Sequence, residues 1–226
     1  MIATIKSWNI ENAKNFSLNE NFDCNITLVT RKEDLTLELL EEIDPEYVFF
    51  PHWSWIIPSK IYSKYQCIIF HTADLPYGRG GSPIQNQIIR KIAKSKICAI
   101  RCVNELDAGD IYCKEDVNLS RGNIDEILME ISNIIFTKMI PYILINNPTP
   151  VKQKGEILEF LRRKKEDSEI LNNNIESTSD LYDLIRMLDG EGYPLANLEC
   201  GNLRFEFFNA TKRSGYVEGG FRVYEK

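Results

Sequence analysis

Apolar segments alternate with helical patterns through the first half of the chain. The strand-like segments fall at residues 1–5, 25–30, 47–50, 66–70 and 97–103. Residues 35–43 lie between two of them and place their leucines on one helical face. Strands that alternate with helices form parallel sheets covered by helices. The order therefore predicts an α/β fold with a mainly parallel sheet.

The second half of the chain predicts the end of this sheet and a separate extension. Its segments are a strand at residues 111–116, helices at 123–145 and 179–188, and hairpin strands at 203–207 and 216–224. Pro148 ends the long helix, and Ser179 is the predicted cap of the second one. We therefore divide the chain into a principal domain, residues 1–150, and a C-terminal extension with a helix and a β-hairpin, residues 151–226.

The charge balance bears on the partners. The chain has 226 residues, and its 27 basic and 33 acidic side chains give a net charge of −6. Nucleic-acid-binding domains usually present a basic face, so this balance predicts no nucleic-acid partner. No segment approaches the ~20 consecutive apolar residues of a membrane span, and the first residues lack the pattern of a signal peptide. We therefore expect a cytoplasmic protein that has no membrane partner.

The six cysteines are scattered and form no Cys-x-x-Cys pair. They are Cys24, Cys67, Cys98, Cys102, Cys113 and Cys200. Isolated cysteines in apolar, strand-like contexts are typical of reduced core residues in a cytosolic protein. The sequence predicts neither a metal site nor a disulfide framework.

The most informative segment surrounds His71. The apolar strand at residues 66–70 leads directly into this histidine, and a loop rich in glycine and proline separates it from a helical pattern at residues 85–94. Open α/β sheets place their chemistry at the carboxyl ends of strands. His71 is one of only two histidines, which makes it the main candidate for proton transfer.

This segment resembles the signature of the folate-dependent formyltransferases. The matching positions are His71, Leu75, Pro76, Arg79, Gly80, Pro83 and Ile84. A family-like Leu-Asp-x-Gly follows at residues 106–109, and further matches extend the resemblance from about residue 47 to about residue 194. The resemblance implies a Rossmann-like formyltransferase fold, here with an abbreviated N-terminal half. It also implies that residues 1–150 are the catalytic domain and that N10-formyltetrahydrofolate is the co-substrate.

The resemblance also implies the roles of individual residues. His71 takes the position of the proton shuttle, and Asp107 takes that of its carboxylate partner. Histidine titrates near neutrality, so it can take a proton from an attacking amine and give one to a leaving nitrogen. The cofactor-binding positions are Pro51, His52, Trp53, Ser54, Trp55, Ile56, Asn104 and Asp110. The candidate substrate-binding positions are Thr72, Asp74 and Arg79. Asp74 stands where the family usually has leucine, and its charge near the site makes it a candidate for recognising a substrate hydroxyl or ammonium.

Some of these residues also have a purely structural interpretation. His52 is equally compatible with lining the site and with a structural role. Trp53 and Trp55 are compatible with packing in the core. Arg79 is compatible with holding the loop by donating to backbone carbonyls.

Ile69 departs from the family pattern, which has asparagine at this position. Residues 69 and 71 share one face of a strand, so residue 69 should face the same site as His71. In the family, the asparagine at this position donates a hydrogen bond to the negatively charged oxygen, the oxyanion, of the tetrahedral intermediate of formyl transfer. Losing such a donor costs roughly 3 kcal/mol. We expect another donor to replace it. The candidates are His71, His52, Ser54, Asn104 and a backbone N–H. The alternative is a catalytically impaired, folate-binding protein.

The acceptor is inferred by elimination among the branches of the family. The tRNA-directed branch carries an additional C-terminal domain, for which this chain has neither the length nor the charge. The glycinamide ribonucleotide branch has a Gly-Ser-Gly loop that residues 5–9 lack. What remains is the sugar N-formyltransferase branch, and the chain resembles the formyltransferase of pseudaminic acid biosynthesis, a nonulosonic acid pathway.

This resemblance implies formyl transfer to the amine of a nucleotide-linked, UDP-linked 4-amino-4,6-dideoxy sugar. A formyltetrahydrofolate hydrolase, in which water replaces the amine, is the enzymatic alternative. The sequence leaves the oligomeric state open.

Overall fold

The computed structural model describes residues 1–18 and 25–226, so Cys24 lies outside the described residues. Contacts divide the chain into two compact units. The first comprises Met1–Arg79, Lys96–Val117 and Met129–Glu159. The second comprises Gly80–Ser95, Asn118–Leu128 and Phe160–Lys226. The division into domains at residue 150 stays a prediction.

The regular elements have the following bounds. The strands are β1 (Ile2–Ala3), β2 (Leu28–Val29), β3 (Tyr47–Phe50), β4 (Gln66–His71), β5 (Tyr77–Gly80), β6 (Lys94–Arg101), β7 (Ile111–Asn118), β8 (Leu158–Phe160), β9 (Ala196–Cys200), β10 (Leu203–Lys212) and β11 (Val217–Glu225). The helices are α1 (Ser7–Ser17), α2 (Leu37–Ile43), α3 (Ser59–Tyr62), α4 (Pro83–Ile89), α5 (Ile124–Ile134), α6 (Ile140–Asn146) and α7 (Thr178–Arg186). Short 3-10 turns occupy Lys32–Asp34, Lys165–Ser168 and Ile170–Asn172.

The central sheet has six strands in the order β2-β1-β3-β4-β6-β7. The pairings β1–β2, β1–β3 and β3–β4 are parallel, and β4 pairs with β6 in the antiparallel sense, with His71 opposite Cys98. Strand β3 is buried along its whole length, as expected of an apolar strand covered on both faces. The predicted α/β fold with a mainly parallel sheet is confirmed.

Helix α1 is an element that the sequence did not predict. Only Asn9, Ala13 and Phe16 are buried in it, so its apolar positions are too few to give a helical stripe. Its inner face is held by particular contacts instead. The Asn12 amide donates to the Ser132 hydroxyl at 2.8 Å, and the rings of Phe16 and Phe136 lie 6.4 Å apart.

Two predicted helix boundaries are wrong. Helix α4 covers Pro83–Ile89 instead of residues 85–94. Proline suits the first turn of a helix, and Lys91 has a positive φ of 59°, which ends the helix before β6 begins. The cap of α7 is Ser177 rather than Ser179, since the Ser177 hydroxyl accepts from the Asp180 N–H.

The long predicted helix continues from α5 to α6 through a π-helical segment, Ile135–Met139. Pro141 lies just beyond this segment, and its missing N–H accounts for the local change in hydrogen bonding. The helix from Ile124 to Asn146 is long and apolar enough to cross a membrane, yet half of its most apolar window is buried in the protein. A core helix of a soluble protein has the same properties, so a cytoplasmic location stays a prediction.

The second unit contains a three-stranded antiparallel sheet in the order β11-β10-β9. Hairpin strands β10 and β11 confirm the predicted hairpin. Helix α7 contributes the buried Arg186, which donates to the carbonyls of Leu119 and Gly122. These bonds satisfy backbone groups that would otherwise be costly to bury.

Candidate functional site

His71 ends β4, and its ring lies between two acceptors in the first unit. Its Nε2 is 2.7 Å from the Gly78 carbonyl oxygen, and its Nδ1 is 3.4 Å from an Asp107 carboxylate oxygen. Both His71 and Asp107 are 8% exposed. A neutral imidazole has only one N–H, whereas the imidazolium donates from both nitrogens. The ring therefore has an acceptor within reach of each of its two nitrogens.

Asp107 occupies a tight loop after β6. Its φ is 52°, a left-handed conformation that non-glycine residues seldom adopt. Two residues later, a Cβ added to Gly109 would lie 1.7 Å from the Arg101 carbonyl oxygen, so glycine is required there. The Arg101 N–H donates to the Asp110 carbonyl at 2.9 Å. The close approach of this loop to β6 fixes the position of the Asp107 backbone, from which the carboxylate side chain extends.

Arg79 is a buried cation of β5. Its Nη1 lies 2.8 Å from the Glu105 carboxylate, and its Nε and Nη2 donate to Gln153 Oε1 at 3.1 and 3.0 Å. The guanidinium is thus held by side chains of its own unit. Its predicted contact with substrate stays a prediction.

The loop after β3 carries the predicted pterin-binding residues. The Pro51 carbonyl accepts from the Thr4 hydroxyl at 2.6 Å, which anchors the start of the loop. Trp53 and Trp55 form an edge-to-face pair with ring centroids 4.9 Å apart. Ser54 and Trp55 are exposed, and Ile56 is 92% exposed. An aromatic and aliphatic edge open to solvent fits a flat, partly apolar ring such as a pterin.

His52, in the same loop, is held neutral. Its φ is 55°, and burial, followed by the positive charge of Lys6, lowers the pKa of His52 to about 4. At neutral pH it is therefore uncharged. A neutral His52 donates from one nitrogen and accepts at the other, which suits recognition of a heterocycle better than electrostatic stabilisation of an oxyanion.

Ile69 is partly buried and packs against two clusters of apolar residues. One cluster includes Cys67, Cys102 and Ile57, and the other includes Leu75 and Cys98. This surrounding explains why an apolar residue is tolerated next to His71. The oxyanion donor must then come from another residue.

Asn104, like Ser54, is an exposed member of the neutral donors that the sequence suggested. Its Oδ1 accepts from the Tyr62 hydroxyl at 3.5 Å, which turns its amide N–H groups away from Tyr62. The exposed Asn104 therefore has donors available for a ligand. Its predicted contact with the folate stays a prediction.

The remaining predicted substrate residues have partners inside the protein. Asp74 forms an ion pair with Lys114, whose Nζ lies 2.5 Å from its carboxylate and also donates to the Leu75 carbonyl at 2.8 Å. Thr72 is buried. The Leu75–Pro76 peptide bond in this loop is cis. Lys114 and Gln153 were not predicted from the sequence, because neither belongs to a motif.

Three of the described cysteines lie in the protein core. Cys67, Cys98 and Cys102 are buried, and burial raises the pKa values of their thiols to about 12, 11 and 11. All five described cysteines are free. Within residues 1–18 and 25–226, no group of three histidine, cysteine or acidic side chains has the arrangement of a metal site.

Parts of the chain are similar to known proteins in sequence. Residues 165–224 match the family model of the methionyl-tRNA formyltransferase C-terminal domain. The methionyl-tRNA formyltransferase of Rickettsia prowazekii is 33% identical over 138 residues, which are 59% of this chain and 46% of that protein. The chain thus spans about half the length of the curated relatives that it matches.

Solved structures extend the similarity over the whole chain. A methionyl-tRNA formyltransferase from Clostridium thermocellum matches with a TM-score of 0.95 and 48% identity, covering 100% of this chain and 98% of that chain. A 4-N formyltransferase from Francisella tularensis matches with a TM-score of 0.66 and 21% identity, over 87% of this chain and 90% of that chain. The second match shows the fold alone.

Together, these matches and the mainly parallel sheet define the class of formyl-group transferases. The chain belongs to the formyltransferase family. One full-length similarity, at 48% identity, is to the methionyl-tRNA formyltransferase from C. thermocellum.

Three predictions drawn from the sequence are wrong. The nucleotide-sugar acceptor is contradicted by the methionyl-tRNA formyltransferases of R. prowazekii and C. thermocellum, and so is the absence of a nucleic-acid partner. The chain was also expected to lack the tRNA-directed branch's C-terminal domain, but residues 165–224 match that domain. The physical error lay in the net charge, which sums the whole surface and does not report where basic residues cluster.

Proposed function

We propose that this protein transfers the formyl group of N10-formyltetrahydrofolate to the α-amino group of a methionyl-tRNA. The observation that carries the proposal is the 48% identity, over both whole chains, to the C. thermocellum methionyl-tRNA formyltransferase. The formyltransferase family uses N10-formyltetrahydrofolate, and the exposed Trp55 and Ile56 beside the neutral His52 fit its pterin ring.

The reaction requires two proton movements and one group transfer. The amine nitrogen bonds to the formyl carbon, and the bond from that carbon to N10 of the folate breaks. One proton leaves the amine, and another reaches N10. The folate supplies the formyl carbon and the leaving nitrogen, while the protein supplies orientation, charge stabilisation and a route for the protons.

His71 supports this role because of its two contacts. The Asp107 carboxylate fixes the ring through Nδ1 and balances the charge of the imidazolium. The Gly78 carbonyl holds Nε2 at 2.7 Å. An incoming amine or water that replaces this carbonyl would come within reach of the same nitrogen, so Nε2 is the atom that we assign to proton transfer.

A local basic surface supports an RNA acceptor despite the net charge of −6. Arg162, Lys164 and Lys165 are exposed in the second unit, and no acidic side chain of the described residues pairs with them. Unpaired cations on the surface are available to neutralise phosphates. We call these three residues the basic cluster.

The test is a comparison of acceptors with one donor. Purified protein is mixed with N10-formyltetrahydrofolate and, in parallel, with methionyl-tRNA, with N-acetylmethionyl-tRNA and with no acceptor. Formylation of the first acceptor alone, detected by mass spectrometry of the released amino acid, is the expected result. Formate release without an acceptor would show a hydrolase instead, and folate binding without either product would show a non-catalytic protein.

A further inference from the structure

Gln153 lies beyond α6 in a segment without any recognisable motif, and its amide group contacts the loop that carries Asp107. Its Nε2 donates to the carbonyls of Asp107 and Gly109, at 2.7 and 2.9 Å. Its Oε1 accepts from Arg79 at 3.1 and 3.0 Å. We infer that Gln153 is a positioning residue for formyl transfer, an inference that rests on the proposed function.

The two carbonyls explain why an amide is needed. The left-handed Asp107 and the close approach of Gly109 to β6 make this loop costly to hold. The carbonyl oxygens of Asp107 and Gly109 both lie within hydrogen-bonding distance of Gln153 Nε2. The two N–H bonds of a glutamine amide can donate to both of them. Gln153 thereby stabilises the loop conformation that puts the Asp107 carboxylate 3.4 Å from His71.

Arg79 connects the same amide to the other side of the histidine. It belongs to β5, as does Gly78, whose carbonyl faces His71 Nε2. Gln153 therefore joins the strand that contacts one ring nitrogen to the loop that contacts the other. It fixes the spacing of the two acceptors around the imidazole, without itself reaching the ring.

Two substitutions separate the donor and acceptor roles of Gln153. Gln153→Glu keeps oxygens for Arg79 but lacks N–H donors for the carbonyls of Asp107 and Gly109. Gln153→Ala removes both roles. Lys154→Ala is the matched control, because Lys154 is the exposed neighbour in the same segment.

The first readout is the pH titration of the two histidines by NMR. The chain contains only two histidines, so the His71 resonance is assigned by comparison with a His71→Asn sample. Both Gln153 variants are expected to move the His71 midpoint by about 0.5 unit or more, because the spacing of charged and polar groups sets such midpoints. The His52 midpoint is expected to stay unchanged, which a general loss of folding would not allow.

The second readout is turnover. The Gln153 variants are expected to lower kcat about 10- to 100-fold, with the KM for folate within about threefold of wild type. Lys154→Ala is expected to match wild type in both readouts. An unmoved His71 midpoint, or equal movement of both histidines, would overturn the inference, and so would an unchanged kcat. If the wild-type protein fails to formylate methionyl-tRNA, the proposed function fails, yet the His71 titration still tests the positioning role.

Discussion

The Asp107 carboxylate and the His71 imidazole meet at 3.4 Å although 36 positions separate them in the sequence. One ends β4, and the other occupies a left-handed residue of the loop after β6. The antiparallel pairing of β4 with β6 places Cys98 opposite His71 and Arg101, the last residue of β6, opposite Ile68. The loop that follows β6 then returns towards the end of β4, so the pair depends on the conformation of this loop as well as on the sheet, and mutations that disturb the loop should act through it.

Replacing Ile69 with the asparagine of the family pattern should not raise activity. Ile69 is partly buried and packs against two apolar clusters, and an amide buried without hydrogen-bond partners costs up to about 1–3 kcal/mol. We expect Ile69→Asn to lose stability by that amount in urea unfolding and to turn over no faster than wild type. Ile69→Val, which keeps the site apolar, is the control. A large gain in turnover would mean that the oxyanion site is incomplete without asparagine.

His52 predicts how stability depends on pH. Its pKa is about 4 in the folded protein and near 6.5 in an unfolded chain, so the unfolded state binds more protons between these values. Stability should therefore fall as pH drops from about 6.5 towards 4, by about 1–3 kcal/mol from this residue. His52→Asn, which suits a positive φ, should flatten this part of the curve. Urea unfolding at several pH values measures the free energy of unfolding of both proteins. An equal dependence of this free energy on pH in wild type and variant would contradict the lowered pKa of His52.

The basic cluster predicts a salt-dependent interaction with the acceptor. Arg162→Ala combined with Lys165→Ala should raise the KM for methionyl-tRNA about tenfold and lower the slope of log KM against log salt by about 2. Folate binding should be unaffected. Lys14→Ala combined with Lys32→Ala removes the same charge from exposed positions elsewhere and serves as the control. Equal effects of both double variants would indicate a general charge effect rather than a docking surface.

The sequence predicted those parts of the fold that strong local patterns specify. Strands β3 and β4 are continuous apolar segments, and both lie within one residue of their predicted bounds. The family-like signature also predicted that His71 and Asp107 form a pair, from their positions in the sequence alone. Helix α1 was missed because three buried residues make too weak a stripe.

Other features depend on contacts between distant segments. Gln153 contacts the carbonyl of Asp107, 46 positions earlier, and a single glutamine after a proline-rich segment carries no signal of that contact. The acceptor was misjudged for a similar reason. A net charge describes the whole chain, whereas recognition depends on where a few cations such as those of the basic cluster lie.

The most direct test of the account is the initial rate of methionyl-tRNA formylation by His71→Asn relative to wild type. Both proteins are first shown to bind folate equally. The account predicts active wild-type protein and a rate about 100- to 10,000-fold lower in the variant, because a positioned general acid–base contributes that much. A variant rate within about threefold of wild type would contradict proton transfer by His71.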